Sequence, residues 1–258
     1  MASVIAVFLL SAVPAFAHVG FLLPHAFRVE PGQTTGAIAS FSDHFPAPEI
    51  ALKSASFAIE QADGDLLEWD KITPHHTVTV LETAIKSPGI YRLSSGERLG
   101  RKGKVALIDG KWQIAGRDGV AIEDLPPATT IAASQTATVS DTYIVAGDTP
   151  YPQELMTGER LRLKAVASAE GLGIDRSIVV QVLFDDKPLV GAKVELIAPF
   201  TMETDAPAKV ITDENGQAAF TPLRRGPHVL LVRHIADAPP DAQTWVRSYS
   251  TTLTFPVE

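Results

Sequence analysis

His18 is the residue with the clearest chemical potential in this sequence. It follows Ala15-Phe16-Ala17, which carries the small residues of a signal-peptidase site, and an apolar run from Val4 to Val13 precedes it. Cleavage after Ala17 would give His18 both an imidazole and a free α-amine, and these two nitrogens can chelate one metal ion. The amine pKa is ordinarily near about 7.7 to 8.0, so exchanging its proton for a metal costs little at neutral pH. The sequence therefore predicts a secretory signal over residues 1–17 and a metal site at the new terminus.

Two further histidines are candidate ligands. His44 lies in the turn-rich segment Asp43-His44-Phe45-Pro46, and His234 lies at the end of an apolar strand. A chain without cysteine must bind a transition metal through imidazole, amine and carboxylate groups, which suit nickel, cobalt, copper or zinc. We expect His18, His44 and His234 to form the site, with His234 reaching His18 where two domains meet. The remaining four of the 7 histidines are predicted to be core or solvated residues.

Signatures of common enzymes are missing from the sequence. It has no Gly-x-Ser-x-Gly, no His-Glu-x-x-His and no glycine-rich phosphate loop. Carboxylate pairs such as Asp185-Asp186 stand in predicted turns, where solvated side chains are usual. The sequence thus favours a binding protein over an enzyme. Two alternatives stay open: a copper-dependent redox enzyme, whose centre can also be built on an amino-terminal histidine chelate, and a metal-free scaffold or adhesion module.

The overall composition excludes several partners and chemistries. With 22 basic and 30 acidic residues the net charge is -8, so nucleic acid is not expected to bind. No apolar stretch after residue 17 is long enough to span a membrane, so we expect no membrane span in the mature chain. The lack of cysteine excludes thiolate metal sites and thiol catalysis.

The elements that must position the histidines are short strands. In residues 18–150, apolar runs alternate with turn residues, and Asp109-Gly110 predicts a tight hairpin. Residues 121–140, rich in Ala, Thr and Ser, predict an irregular connection. We therefore predict a β-sandwich-like domain over residues 18–150, ending in the Pro-rich and Gly-rich segment near residue 150.

The second half, residues 151–258, has a more regular pattern. Residues 192–196 alternate apolar and charged, which indicates a strand with one buried face, and Asn215-Gly216 predicts a second tight hairpin. About seven strands at this spacing predict an immunoglobulin-like or prealbumin-like β-sandwich. The whole chain is expected to be all-β, with no helix longer than about three turns.

Several segments resemble a known family. The second half contains residues 184–194, which read FDDKPLVGAKV, followed by Thr212-Asp213-Glu214-Asn215-Gly216 and by Thr252-Leu253-Thr254-Phe255. The mature terminus has His18, then Pro24, then Phe27-Arg28-Val29-Glu30-Pro31-Gly32. Together these segments resemble the periplasmic nickel-uptake accessory proteins, whose members are also labelled only as a domain of unknown function.

The resemblance implies a function, a location and a partner. It implies a periplasmic protein that binds nickel or cobalt and serves an inner-membrane metal permease. It also implies that the histidines corresponding to His44 and His234 belong with His18. Residues 57–146 show no match to the family.

Overall fold

The computed structural model describes residues 18–116, 119–167, 172–200 and 208–258. The predicted signal segment, residues 1–17, lies outside these ranges. Within them the only helix is a single 3-10 turn, Ile122–Asp124, and all other regular structure is β-strand. The predicted all-β fold is therefore confirmed. Among the described residues there is no helix that could span a membrane.

The described residues form 21 strands, several of them only two residues long. In chain order they are β1 Val19–Pro24, β2 Arg28–Val29, β3 Thr34–Ser42, β4 Ile50–Ala51, β5 Ala58–Gln61, β6 Leu66–Leu67, β7 Lys71–Pro74, β8 Thr79–Ala84, β9 Gly89–Ser94, β10 Arg98–Ile108, β11 Lys111–Ala115, β12 Ile131–Ala146, β13 Glu154–Gly158, β14 Leu161–Ala167, β15 Ile178–Phe184, β16 Lys187–Pro188, β17 Lys193–Ile197, β18 Ala208–Ile211, β19 Gln217–Phe220, β20 Gly226–Asp237 and β21 Val246–Val257.

These strands form three sheets. The first has the order β1-β3-β8-β7, with β4 paired to β3. The second is the largest, with the order β18-β17-β20-β21-β12-β9-β5-β6; β10 and β2 also pair with β12, and β11 pairs with β10. The third has the order β13-β14-β15-β16, with β19 paired to β15. The second sheet is the shared central layer, because one part of it packs on the first sheet and another part on the third.

The core residues follow from strand alternation. On β1, Leu22 packs with the core between the first sheet and strands β5, β9 and β12, whereas its neighbour Phe21 packs against β17 and β20. Both side chains are fully buried, so both faces of β1 are covered. The core of the carboxy-terminal sandwich lies between the third sheet and strands β17, β20 and β21. This β-sandwich matches the predicted immunoglobulin-like architecture.

Strand β12 corrects one prediction. Residues 131–140 were expected to be irregular, but they open the longest strand of the structure, which pairs with β21 in parallel and with β9 and β10 in antiparallel fashion. Ser140 and Thr142 of this strand are fully buried and hydrogen-bonded: Ser140 Oγ accepts from Thr252 Oγ1, and Thr142 Oγ1 donates to the carbonyl of Thr254, both at 2.9 Å. Local polarity misled the prediction because hydroxyl side chains can be satisfied inside a sheet. As a result the second sheet runs across the predicted boundary near residue 150.

The two predicted hairpins had different outcomes. Asp109 and Gly110, with φ of 49° and 73°, link β10 to β11 as the predicted tight turn. Gly216 also has positive φ, but β18 pairs with β17 and β19 pairs with β15, so Asn215-Gly216 links two different sheets. The hairpin prediction there is wrong. Asp213 shapes this turn by accepting hydrogen bonds from the N–H groups of Asn215 and Gln217.

Candidate metal centre

The amino-terminal residue of the predicted mature chain lies at one end of the first sheet. Val19 pairs with Ser42, so His18 lies opposite the point where β3 ends. The chain then turns through residues 43–49 and returns at Ile50, which pairs with Phe41. This turn brings the polar side chains of residues 43, 44 and 49 to the end of β1.

His18 lies between two carboxylates. Its Nδ1 atom is 3.6 Å from Oδ1 of Asp43, and its Nε2 atom is 3.6 Å from Oε2 of Glu49. Ligand atoms of these three residues lie within 4.8 Å of one another. Among the described residues this is the only cluster of three or more His, Asp or Glu side chains with that spacing. Each of the three side chains is about one-third exposed, so an ion could enter from solvent.

Glu49 is held in place by three hydrogen bonds. Its Oε1 atom accepts from Nδ1 of His44 at 2.8 Å, from Oγ of Ser42 at 3.0 Å and from the backbone N–H of Asp43 at 3.3 Å. Burial raises the pKa of Glu49, but the hydrogen bonds from His44, Ser42 and Asp43 outweigh it and leave the pKa below its usual range. Glu49 is therefore a carboxylate at neutral pH.

Asp43 has an unsatisfied oxygen. Its Oδ1 atom is buried and has no hydrogen-bond partner among the described residues. A buried carboxylate oxygen without a donor is costly, and such atoms in proteins usually face a donor, an ordered water or an ion. Oδ1 is also the Asp43 atom that approaches His18. A cation bound next to His18 would therefore interact with the otherwise unpaired Oδ1 atom of Asp43.

The donor set and its spacing fit a transition-metal ion. Zinc-like ions bind imidazole nitrogen and carboxylate oxygen at about 2.0 to 2.2 Å, so neighbouring ligand atoms stand roughly 3 to 4 Å apart. The 3.6 Å separation between Nδ1 of His18 and Oδ1 of Asp43 lies in that range. The equal separation from Nε2 to Glu49 lies on the other side of the ring, so one ion cannot use both. Nitrogen and oxygen ligands without thiolate suit nickel, cobalt, copper and zinc.

Residues from the second half of the chain pack behind the turn that carries the site. Phe45 is buried behind the turn and packs edge-to-face on Phe21, with ring centroids 5.1 Å apart. The carbonyl of Phe45 accepts a hydrogen bond from the backbone N–H of Phe200, at 2.7 Å, in the connection that follows β17. Ile197 belongs to the same buried cluster as Phe45. The site thus lies where the amino-terminal sheet meets the carboxy-terminal half.

The structure brings His44 to this site but not His234. His44 reaches His18 indirectly, through the carboxylate of Glu49 that both imidazoles approach. His234 shares its face of β20 with Leu230 and Val232, which belong to the carboxy-terminal sandwich core. The opposite face of β20 packs against β1. His18 and His234 therefore lie on opposite sides of the central sheet, and the expected contact between them is not formed.

His234 belongs to a separate aromatic cluster. Its ring packs edge-to-face on Phe184, with centroids 4.7 Å apart, and it pairs across the strands with Tyr249. The guanidinium of Arg160 lies over both aromatic rings and forms two hydrogen bonds to Asp185, at 2.7 and 2.6 Å. Burial lowers the pKa of His234, and the positive charge of Arg160 lowers it further, by a smaller amount. The imidazole is therefore neutral at pH 7.

Glu49 was not predicted as a site residue from the sequence. The available signal was its position five residues after His44 in one turn-rich segment, because a chain that reverses direction brings such residues together. Asp43 was noted only as a neighbour of His44.

Comparisons with known proteins give little functional information. No curated protein matches the sequence. The D0-D1 domain of intimin is 12% identical with a TM-score of 0.23, over 92% of this chain and 99% of that one. Two structures of Escherichia coli alpha-2-macroglobulin, activated by trypsin and by porcine elastase, are 10% and 11% identical, with TM-scores of 0.25 and 0.24. Each match covers 93% of this chain but only 16% and 31% of the macroglobulin chains.

The family comparison is more extensive. Residues 15–236 match a family described as a domain of unknown function, DUF4198. The matched range begins just before His18 and includes the whole turn that carries Asp43, His44 and Glu49. Since the match covers well over half of the sequence, this chain belongs to the DUF4198 family.

Proposed function

We propose that the protein binds a transition-metal ion at its processed amino terminus in the periplasm and serves nickel or cobalt uptake. The observation that carries this proposal is the buried, unpartnered Oδ1 of Asp43, 3.6 Å from Nδ1 of His18. A cation between these two atoms would satisfy the carboxylate and use the imidazole lone pair.

The two ring nitrogens of His18 have different roles in this proposal. Signal cleavage before His18 would place the α-amine on the same residue as Nδ1, and the two nitrogens would chelate the ion beside Asp43. Nε2 would then carry the proton and donate it toward Glu49, 3.6 Å away. A carboxylate behind a metal-bound histidine fixes the ring orientation and raises its basicity. The hydrogen bonds from Ser42 and His44 hold Glu49 in position for this role.

Nickel and cobalt are proposed as cargo from the donor set and from the resemblance of the sequence to nickel-uptake accessory proteins. Because the site is partly exposed at the end of a sheet, an ion could pass to a partner without unfolding of the core. An inner-membrane permease is the partner that the resemblance implies.

A copper-dependent redox enzyme is the second candidate. It is favoured by His44, a second imidazole bonded to the same carboxylate that approaches His18. A copper-loaded protein that oxidises ascorbate with dioxygen faster than free copper would support this alternative.

The test is titration calorimetry with Ni²⁺, Co²⁺, Cu²⁺ and Zn²⁺ on protein whose processed terminus has been verified by mass spectrometry. One variant carries an extra Ala ahead of His18, which keeps the imidazole but converts the amine into a peptide nitrogen. The other is His18→Ala. Each change should lower affinity at least tenfold to hundredfold, the range typical for loss of a supporting ligand interaction.

The matched control is His25→Ala, which removes an exposed imidazole at the far end of β1. It should leave the affinity unchanged, as should His234→Ala. Equal affinities in all five proteins would overturn the proposal.

A further inference from the structure

One segment of the chain concentrates positive charge in an otherwise acidic protein. Between residues 98 and 111, which form β10 and the turn into β11, there are five basic residues and one acidic residue, Asp109. The whole chain has a net charge of -8, so the positive charge of residues 98–111 is opposite in sign to that of the protein as a whole. The five basic residues are Arg98, Arg101, Lys102, Lys104 and Lys111.

The three lysines of this segment lie on one face of the second sheet. Lys104 pairs with Ala115 of β11 and Ala133 of β12, and Lys102 pairs with Gln135. Lys111 pairs with Ile108. Ile108 is four residues after Lys104 on β10, so the side chains at these two positions point to the same side of the sheet. Because side chains alternate along a strand, Lys102, Lys104 and Lys111 lie on the same face. All three side chains are exposed.

An exposed tryptophan lies beside this lysine face. Trp245 immediately precedes β21 and is 83% exposed. Nζ of Lys102 donates a hydrogen bond to Oε1 of Gln243 at 3.0 Å, which joins the lysine face to the loop that carries Trp245. Ile131, opposite Ala106 on the same face, is 41% exposed. The surface therefore combines ammonium groups with exposed apolar side chains.

We infer that this lysine and tryptophan surface docks the protein onto an anionic phospholipid bilayer. Lysine is depleted at protein–protein interfaces, whereas basic clusters are attracted to anionic headgroups. Tryptophan is enriched at the level of lipid headgroups, where its ring is partly apolar and its N–H stays hydrated. Four acidic residues in the adjoining turns and loops moderate the attraction, so binding is reversible and sensitive to salt. They are Asp109, Glu123, Asp124 and Asp241.

The test is co-sedimentation of the mature protein with two kinds of vesicle. One contains phosphatidylglycerol and phosphatidylethanolamine, and the other contains phosphatidylcholine alone. Binding to the anionic vesicles at low ionic strength should disappear near about 0.5 M salt, because screening there is strong. Each lysine should contribute about fivefold to partitioning, so the triple variant Lys102→Gln, Lys104→Gln, Lys111→Gln should bind about a hundredfold more weakly.

A matched triple variant controls for net charge. Lys53→Gln, Lys86→Gln and Lys187→Gln remove the same charge from exposed positions outside this face and should change partitioning by no more than about twofold. The fluorescence of the 3 tryptophans should shift to shorter wavelength on the anionic vesicles, and Trp245→Phe should remove that shift. Absence of vesicle binding, equal binding to both vesicle types, or equal loss in the two triple variants would overturn the inference.

Discussion

The two histidine environments of this protein are built in opposite ways. Around His234, the charged groups Arg160 and Asp185 are paired. Arg160 is hydrogen-bonded to Asp185 and to Tyr249, and its guanidinium lies over the rings of Phe184 and Tyr249. Around His18, by contrast, Asp43 keeps a buried oxygen without a donor, and His18 faces carboxylates at 3.6 Å rather than at hydrogen-bond distance. The first arrangement is paired throughout, whereas the second keeps an acceptor without a donor.

This difference separates residues that stabilise the fold from residues that are available for a ligand. A satisfied network contributes to folding and has nothing left to offer an ion. An unsatisfied buried acceptor costs stability in the free protein and can still accept a donor, a water or an ion. A lowered pKa alone would point to His234. Asp141 Oδ1 and Glu195 Oε2 are also buried without a hydrogen-bond partner, but among the described residues only Asp43 combines such an oxygen with a cluster of ligand atoms.

The largest expected effect is on stability. Arg160→Met should lower the free energy of unfolding by about 2 to 3 kcal/mol, because it removes charge-assisted hydrogen bonds and leaves Asp185 without its partner. Urea unfolding followed by circular dichroism measures this. Arg162→Met is the matched control, since its partner Asp186 is 75% exposed and that pair should contribute less than about 1 kcal/mol. Equal losses in the two variants would show that the Arg160 network has no special role.

The next effect should appear in metal binding and not in stability. Asp43→Asn should lower Ni²⁺ affinity by about tenfold to hundredfold, because it removes the negative charge that faces His18. The free energy of unfolding should stay within about 0.5 kcal/mol, since the lost oxygen has no donor to lose. Calorimetry and urea unfolding on the same preparation test both statements. A stability loss as large as that of Arg160→Met would remove the distinction between the two regions.

Glu49→Gln should have a smaller effect on metal affinity than Asp43→Asn. In the proposed arrangement Glu49 orients the ring of His18 without binding the ion, so its loss should cost about tenfold. Glu30→Gln, at an exposed position away from the site, serves as the control and should leave affinity unchanged. If Glu49→Gln weakens binding more than Asp43→Asn, the ion is bound on the Nε2 side of His18 instead.

The smallest effect concerns pH. Because the pKa of His234 is lowered in the folded state, its neutral form is favoured there, and stability falls as pH drops below the unfolded value of about 6.5. The slope from one such group is at most about 1.4 kcal/mol per pH unit. His234→Phe should flatten the stability profile between about pH 6.5 and 5 while leaving the contribution of His228, whose pKa burial also lowers. An unchanged profile would show that His234 does not titrate in this window.

The parts of the site that sequence reasoning found are those that depend on local chain geometry. The turn after β3 contains His44 and Asp43 within two residues, so their proximity needed no knowledge of the sheets. The face of His234 was also predictable from alternation with Leu230 and Val232. Which layer covers that face was not predictable, because it depends on the pairing of β12 with β21 and on the position of β1 across the sheet.

The same limit applies to the strands. Asp109-Gly110 links two strands that pair with each other, whereas β18 and β19 pair with strands of two different sheets. A turn signature specifies the local backbone but not the sheet that each flanking strand enters. Strand β12 was missed for the related reason that its hydroxyl side chains are satisfied only by distant partners, such as the carbonyl of Thr254.

The position of β1 determines at what stage of folding the proposed metal site can form. Thr252 Oγ1 donates to the carbonyl of Gly20, 232 residues earlier in the chain, and β1 packs on strand β20. Contacts of such long sequence separation form late in folding, because closing the intervening chain costs entropy before any contact compensates for it. The amino-terminal strand is therefore among the last parts of the described chain to become ordered. In the proposed function, metal capture by His18 would consequently report that the two ends of the chain have come together.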